Sequence, residues 1–239
     1  MNPTPTRLLN PGASGRMGQA RLRLAAEQPT LYTVAAAVTR RAPAQRVVES
    51  VPHFAATEVS GVPAFDVAVD FSLPEGFDPI LSLCVERGAS LVSGTTGIDA
   101  VQEAALAAAA TRIPLVWATN FSLGVAVLAE LVERAASALP GWDVDIVESH
   151  HVHKKDAPSG TALTLGQAAG SAGAPVQYAS LRAGDIVGEH TVQFAGLGER
   201  IELIHRATHR DIFARGALHV ARTLVGRAPG AYRVRDLLD

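Results

Sequence analysis

The sequence predicts an α/β fold in two parts. In the first half, apolar strand-like runs alternate with alanine-rich helical stretches, a pattern typical of a parallel sheet covered by helices. Residues 183–207 instead read as consecutive strands joined by short Gly-containing turns. That second pattern indicates an α+β unit with a mixed, largely antiparallel sheet.

The predicted elements of the first part indicate where a ligand would bind. Helices are predicted at 19–28 and 101–111, and buried strands at 32–38, 67–71, 91–93 and 115–118. Small or polar residues follow each of these strands. Because ligands of open α/β sheets bind outside the carboxyl ends of strands, we expect these loops to form the rim of a site.

After residue 121 the pattern changes. The predicted elements there are a helix at 122–138, a strand at 143–148 and a helix at 161–169, before the consecutive strands. Helical spacing returns at 212–224, and we expect this segment to pack on the first domain. The predicted domains are therefore residues 1–121 with 212–239, and residues 122–211.

Composition and charge exclude several classes of protein. The 239 residues, 48% hydrophobic and 18% charged, are typical of a globular protein with a substantial core. A net charge of -2 provides no global positive field for nucleic acid. No segment offers the ~20 uninterrupted apolar residues of a membrane span, and the single Cys84 excludes an internal disulfide. We expect a cytoplasmic protein without nucleic acid or membrane partners.

Residues 12–18, GASGRMG, form a glycine-rich turn between the first strand and the first helix. Glycines there permit positive φ angles and let the backbone approach a pyrophosphate, as in Rossmann dinucleotide-binding domains. A simple tight turn would explain the same glycines. Ser14 replaces the second glycine of G-x-G-x-x-G, and we expect Asn10-Pro11 to interrupt the preceding strand.

The end of the second predicted strand bears on the choice of cofactor. An acidic residue there would bind the ribose hydroxyls of NAD, but this chain has Thr39 followed by Arg40 and Arg41. A planar guanidinium suits a 2′-phosphate, although a solvated basic pair is the alternative. Our hypothesis is that NADPH is used at least as well as NADH.

Residues 148–162, ESHHVHKKDAPSGTA, form a dense polar cluster with three competing interpretations. On an extended strand, His151 and His153 would share one face and His150 the other, which raises the possibility of a metal site. Zinc sites need more ligands than this segment offers, and Lys154 and Lys155 would repel a cation. A solvated surface loop, the second interpretation, leaves the Pro-Ser-Gly-Thr ending unexplained.

The third interpretation is an acid and base assembly beside an anion pocket. The Pro-Ser-Gly-Thr ending predicts a helix start, whose cap residues and free amides make a site for a carboxylate or phosphate. Histidine titrates near neutrality, and lysine is a strong donor. The cluster therefore indicates an enzyme that reduces an acidic small molecule.

The same stretch resembles E-x-H-H-x-x-K-x-D-A-P-S-G-T-A, the signature of the 4-hydroxy-tetrahydrodipicolinate reductase (dihydrodipicolinate reductase) family. Five further matches follow in the family's order: GASGRMG at 12–18, DFSLPEG at 70–76, GTTG at 94–97, ATNFSLGV at 118–125 and RAGDIVGEHTVQFAGLGERIELIHRA at 182–207. The resemblance implies a Rossmann-type dinucleotide-binding domain at 1–121 and 212–239. It also implies an α+β substrate-binding and oligomerisation domain at 122–211.

The resemblance further implies an activity, the NAD(P)H-dependent reduction of 4-hydroxy-tetrahydrodipicolinate with loss of water, in the diaminopimelate route to lysine. The cofactor would be NADPH or NADH, the substrate a cyclic dicarboxylate and the assembly a homotetramer. Alternatives from other classes are a non-catalytic dinucleotide-sensing protein of the same fold and a metal-binding module. The complete HHxxK and SGT set argues against both.

Functional residues carry over from the matching motif positions. His150 aligns with the family's acid/base histidine and Lys154 with its proton-donating lysine, while His151, Gly160 and Thr161 align with substrate contacts. The cofactor contacts align with Gly12, Ala13, Ser14, Gly15, Arg16, Met17, Arg40, Gly94, Thr95, Thr96, Ala118, Thr119, Asn120 and Phe121. No metal ligand is implied, and the roles of His153 and Lys155 stay open.

Overall fold

The computed structural model describes residues 4–170 and 173–238. The chain divides into two compact units, of which the second is Ser122–Ile212. The described residues before Ser122 and from Phe213 onward form the first unit. Within the described ranges, no helix is both long and apolar enough to cross a membrane.

Twelve strands and six α-helices are formed by these described residues. The strands are β1 (Thr6–Pro11), β2 (Tyr32–Thr39), β3 (Val47–Val48), β4 (Val51–Ala55), β5 (Val67–Asp70), β6 (Ser90–Ser93), β7 (Pro114–Trp117), β8 (Asp143–His150), β9 (Val176–Arg182), β10 (Gly188–Gly196), β11 (Glu199–Ala207) and β12 (Gly230–Tyr232). The helices are α1 (Arg16–Ala26), α2 (Phe77–Arg87), α3 (Ala100–Ala109), α4 (Leu123–Ala138), α5 (Gly160–Gly170) and α6 (Asp211–Leu224).

The first unit is built on an eight-stranded sheet in the order β12-β7-β6-β5-β1-β2-β4-β3. All neighbouring strands are parallel except β3 and β4. The six strands from β4 to β7 follow the 3-2-1-4-5-6 order of Rossmann folds. Every residue of β5 and β6 is buried, as expected for strands of a parallel sheet that is covered on both faces.

Local sequence signals fix the helix ends in this unit. α2 ends at Gly88, whose φ of +62° lies in the left-handed region that favours glycine. Before α3, the Asp99 carboxylate accepts the amides of Val101 and Gln102, and the Gln102 side chain accepts the Asp99 amide in return. This cap anchors the end of the loop that follows β6.

The second unit packs α4 and α5 against one face of a four-stranded sheet in the order β11-β10-β8-β9. β10 is antiparallel to both β8 and β11, whereas β9 is parallel to β8. Alternate residues of β8 and β10 are buried, among them Ile146 and Phe194. This period of two puts Glu148 and His150 on the same buried face.

The predicted fold class is confirmed, while several elements are corrected. β1 runs through Asn10 and Pro11 without interruption, and the pairing continues beyond the proline because the Ala13 amide donates to the Val38 carbonyl at 3.0 Å. β8 extends to His150, two residues past its predicted end. α2, β3, β4, β9 and β12 were not predicted from the sequence.

Candidate active site

The buried face of β8 changes from apolar to polar along the strand. Val144 and Ile146 lie in the hydrophobic core, whereas Glu148 and His150 are polar and only 0% and 8% exposed. Burying a carboxylate is costly unless it is paired and hydrogen-bonded. The partners of these two side chains therefore define the site at the end of β8.

The Glu148 carboxylate lies at the centre of a hydrogen-bond network. Arg182 donates Nη2 to Oε1 at 2.8 Å and Nη1 to Oε2 at 3.0 Å, and the Ser159 amide donates to Oε1 at 3.3 Å. His150 makes a short hydrogen bond to Oε2 through Nδ1. Burial would raise the pKa of Glu148, but hydrogen bonds from Arg182, Ser180 and His150 outweigh it and lower that pKa to about 2.

The hydrogen bond to Glu148 fixes the tautomer of His150. An ionised carboxylate can only accept a hydrogen bond, so Nδ1 of His150 carries the donated proton. In the neutral ring, Nε2 is then the nitrogen without a proton. Burial lowers the pKa of His150, and the charges of Lys154 and Arg182 lower it further. The Glu148 carboxylate raises this pKa, but the net shift is downward. A neutral imidazole held in this way can accept a proton at Nε2 and return it.

His151 and His153 do not continue the strand. β8 ends at His150, and the following residues turn, with the Lys154 amide donating to the His151 carbonyl at 3.1 Å. The His151 and His153 rings lie with centroids 6.1 Å apart. Strand alternation beyond His150 was therefore a wrong expectation, because the chain leaves the sheet at that residue.

Lys154 lies in the loop that follows β8. Its ammonium donates to both carboxylate oxygens of Asp156 at 2.8 Å. Arg182 donates to the carbonyl of Lys154 at 3.3 Å and to the carbonyl of Asp156 at 2.5 Å. The loop that carries Lys154 and the carboxylate that holds His150 are thus attached to the same guanidinium.

The start of α5 borders the same network. The Ser159 hydroxyl accepts the Ala162 amide at 3.2 Å and lies 3.1 Å from Nε2 of His190. Gly160 and Thr161 are the first two residues of the helix. A Cβ added to Gly160 would meet no atom of the described residues within 4 Å. Open space therefore lies beside the N-terminus of α5, where backbone amides favour the binding of an anion.

Two histidines of this face, the buried His190 and the half-buried His205, were missed by reasoning from the sequence. His190 on β10 pairs in register with Glu148, and its ring lies edge-on to His150 at a centroid distance of 5.2 Å. His205 on β11 pairs with His190. Burial lowers the pKa of His190 to about 4 and also lowers the pKa of His205, so both are neutral at physiological pH. The described residues contain no group of His, Cys, Asp or Glu placed to hold a metal ion.

In the first unit, the glycine-rich turn connects β1 to α1. Gly12 has a φ of +68°, and a Cβ there would lie 2.8 Å from the Phe71 carbonyl oxygen. A Cβ on Gly18 would lie 2.2 Å from the carbonyl oxygen of Gly12. α1 begins after Gly15, and no side chain caps it. An uncapped helix start behind a glycine turn fits the pyrophosphate of a dinucleotide.

Arg21 of α1 supports this turn from the protein interior. It is 2% exposed and donates to Asn10 Oδ1 and to the Pro11 carbonyl, both at 2.8 Å. Asn10 in turn donates to the Gly18 carbonyl at 3.2 Å. The guanidinium also lies 4.7 Å from the centroid of the Phe71 ring. Asn10 therefore connects β1 to α1, where the sequence suggested a break.

Two cavities open at the carboxyl ends of β1 and β2. The first, of 390 Å³, is lined in part by Gly12, Ser14, Gly15 and Arg40, and the second, of 530 Å³, includes Arg40 and Arg41 in its lining. Thr39 also lines both, and its hydroxyl donates to the Arg41 carbonyl at 2.7 Å. The cations and the space expected for the adenosine part of a cofactor thus occur together.

The other predicted cofactor-binding residues lie in the loops after β6 and β7. Thr95 is 1% exposed, and its hydroxyl donates to the buried Asp70 carboxylate at 3.0 Å. Trp117, the last residue of β7, donates to the Thr95 carbonyl at 2.8 Å, which connects the loop after β6 to the end of β7. Phe121 packs on Phe71 with ring centroids 5.4 Å apart. The same two loops carry Gly94, Thr96, Ala118, Thr119 and Asn120, while Ala13, Arg16 and Met17 belong to the glycine-rich turn and the start of α1.

The depressed pKa of Glu148 makes the stability of the fold depend on pH. Because this carboxyl has a folded pKa of about 2, below its usual value, it stabilises the fold above about pH 4.5, and this stabilisation is lost as the pH falls toward 2. We expect the free energy of unfolding of the wild type to fall between about pH 5 and about pH 2.5 by on the order of 2 kcal/mol more than that of Glu148→Gln. Urea unfolding at each pH measures the difference, and parallel curves for the two proteins would contradict it.

Comparisons with known proteins identify two matching family models. The model described as dihydrodipicolinate reductase, N-terminus, matches residues 7–121, and the one described as dihydrodipicolinate reductase, C-terminus, matches residues 124–238. A 4-hydroxy-tetrahydrodipicolinate reductase of Stenotrophomonas maltophilia is 78% identical over 239 residues. Another, of Xanthomonas campestris pv. campestris, is 69% identical over 238 residues, and both matches cover 100% of the two chains compared.

Solved structures agree on the fold. A dipicolinate-bound dihydrodipicolinate reductase from Paenisporosarcina sp. has a TM-score of 0.81 at 22% identity, covering 96% of this chain and 97% of that chain. A DAP dehydrogenase of C. glutamicum has a TM-score of 0.62 at 14% identity, covering 99% and 96%. On the family models and the full-length relatives together, the chain belongs to the dihydrodipicolinate reductase family.

Proposed function

We propose that this protein reduces 4-hydroxy-tetrahydrodipicolinate to tetrahydrodipicolinate with loss of water, in the diaminopimelate route to lysine. The observation that carries the proposal is the arrangement at the end of β8. There a buried carboxylate holds His150, and the Lys154 loop and the start of α5 are attached to the same network. The full-length relatives described above carry the name of this reductase, which supports the choice of reaction.

Members of this family use a nicotinamide dinucleotide, which supplies the hydride when bound. The residues of the first unit fit such a cofactor. The pyrophosphate would be held by the glycine-rich turn, because its backbone packs closely and it leads into an uncapped helix start. The residues concerned are Gly12, Ala13, Ser14 and Gly15 of the turn, with Arg16 and Met17 of α1. The residues at 94–96 and 118–121 would contact the rest of the cofactor from the neighbouring loops.

In the reaction, His150 and Lys154 would serve as proton-transfer groups. Hydride addition to an unsaturated ring builds negative charge, and the loss of water requires a proton on the departing hydroxyl. The Lys154 ammonium can donate a proton. His150 can take up and return one at Nε2, because Glu148 keeps its Nδ1 protonated.

The substrate carboxylates would bind at the start of α5. Gly160 and Thr161 offer backbone amides at a helix N-terminus, and His151 lies in the turn between β8 and the Lys154 loop. A dicarboxylate also suits the ammonium group of Lys154 nearby. The structural neighbour from Paenisporosarcina sp., described as dipicolinate-bound, supports a ligand of this class.

We further propose a homotetramer assembled through the four-stranded sheet. Val147, Ile204 and Leu181 are 37%, 41% and 55% exposed. Their register places them on the face opposite the one that α4 and α5 cover, since Val147 and Ile204 both pair with Thr191. Exposed apolar side chains that cluster on one sheet face mark a surface for association.

Substitution of either predicted catalytic residue should abolish most of the activity. We expect His150→Ala and Lys154→Ala to lower kcat by roughly 100- to 10,000-fold, because each removes a proton-transfer group. The loss of NADPH absorbance on adding freshly generated substrate measures the rate. Arg134→Ala, which removes an exposed cation from α4 in the same unit, is the control and should leave kcat unchanged. A wild type that consumed no cofactor would refute the proposed reaction.

Arg40 should determine the affinity for NADPH. At the end of β2 this chain has Arg40 and Arg41 beside a cavity, and Thr39 offers no carboxylate for a ribose hydroxyl. We expect Arg40→Ala to raise the KM for NADPH by about 10- to 100-fold and to change the KM for NADH little, since only NADPH has the 2′-phosphate. Arg112→Ala serves as the control. Equal effects on both cofactors would contradict this assignment.

Charges on the outer sheet face should dissociate the proposed tetramer. The double variant Val147→Lys, Ile204→Lys places two ammonium groups on the apolar surface, where burial in an interface would be costly. Sedimentation should resolve four associated chains for the wild type and smaller species for the variant. Val101→Lys, at an exposed position of α3, should sediment like the wild type. A monomeric wild type would exclude the tetramer.

A further inference from the structure

We propose that Glu148 and Arg182 are positioning residues of the active site, which hold His150, the Lys154 loop and the first turn of α5 in one arrangement. The inference rests on the proposed function, since His150 and Lys154 are the groups being positioned. Glu148 and Arg182 act through the residues that they bind, and not by contact with the reacting atoms.

Glu148 is bound from three separate segments of the chain. His150 lies two residues away on β8, Arg182 is at the end of β9, and the Ser159 amide immediately precedes α5. The carboxylate is fully buried, and the Arg182 side chain is 19% exposed. A charge pair with so little solvent around it holds its geometry, because loss of either partner leaves a buried charge uncompensated.

Arg182 extends the network to the lysine loop. Beyond its paired bonds to Glu148, it donates Nε to the Lys154 carbonyl and Nη2 to the Asp156 carbonyl. The Asp156 carboxylate in turn accepts from the Lys154 ammonium. Backbone on both sides of residue 155 is therefore fixed by one guanidinium, and the ammonium is held by a residue of that same segment.

The pair also controls the charge that His150 experiences. Four titratable groups among the described residues influence this imidazole: Glu148 on its own strand, Arg182 on β9, Lys154 in the loop and His190 on β10. Arg182 offsets the Glu148 carboxylate, which alone would favour the imidazolium form. Removing the Arg182 cation should therefore move the titration of His150 to higher pH, and neutralising Glu148 should move it to lower pH.

The experiment compares four variants of the full chain, Arg182→Met, Glu148→Gln, Arg182→Lys and the control Glu27→Gln. Glu27 pairs with Arg23 at 2.8 Å in the first unit, and its side chain is 46% exposed. His150 is followed by NMR in protein with labelled histidine, its signal assigned through His150→Gln. The same variants are assayed for kcat and KM across pH.

We expect opposite shifts of the His150 titration midpoint, upward in Arg182→Met and downward in Glu148→Gln, each on the order of one pH unit. The acid limb of kcat should move in the same directions. Arg182→Lys keeps the charge and loses the planar fork, so its midpoint should stay near that of the wild type, while kcat/KM falls by about 10- to 100-fold. Glu27→Gln should match the wild type in every measurement.

Unchanged midpoints in Arg182→Met and Glu148→Gln would overturn the inference. If circular dichroism shows that Arg182→Met does not fold, the other two variants decide. A wild-type kcat/KM in Arg182→Lys, or a His150 midpoint unchanged in Glu148→Gln, would then refute it. A wild type that reduces no substrate would refute the proposed function instead, and the His150 titrations would still test whether the pair controls this histidine.

Discussion

A carboxylate without solvent exposure needs protein donors for its oxygen atoms, and Glu148 obtains them from its own strand, from the end of β9 and from the residue before α5. The penalty for an unpaired buried ion is several kcal/mol, so the local geometry depends most on the pairing of Glu148 with Arg182. Arg182, His150 and the Ser159 amide meet that requirement together. The geometry of the site thus follows from satisfying one buried charge.

The sheet supplies the frame for this network. The alternation that buries Val144 and Ile146 among the side chains of α4 and α5 continues to Glu148 and His150, where the covered face becomes polar. The neighbouring strands add neutral imidazoles, His190 and His205, at positions that pair across the sheet. Because burial keeps these two uncharged, the charges around His150 come from Glu148, Arg182 and Lys154.

Reasoning from the sequence predicted the fold class correctly, because the alternation of strands and helices is a local signal. The resemblance singled out His150 and Lys154 from one short stretch as candidate catalytic residues. Local sequence signals could not identify Arg182, because it binds Glu148 across 34 residues of sequence. It is also the last residue of β9, a strand whose mostly exposed side chains lack apolar alternation. His190 had a signal, since it lies in the matching stretch 182–207, but its contact with His150 depends on strand register. The assigned roles of the site residues and the domain boundaries stay predictions.

The glycines of the glycine-rich turn differ in how strictly the fold requires them. Gly12 and Gly18 are required by the fold, because a Cβ at either position would strike a backbone carbonyl oxygen. Gly15 is under less constraint, since its φ of -79° suits any residue and an added Cβ would come no nearer than 3.3 Å to another atom of the described residues. Ser14, which departs from G-x-G-x-x-G, is exposed on the cavity side of the turn. The departure therefore leaves the close packing of β1 on α1 intact, and Arg21 with Asn10 maintains that packing from the interior.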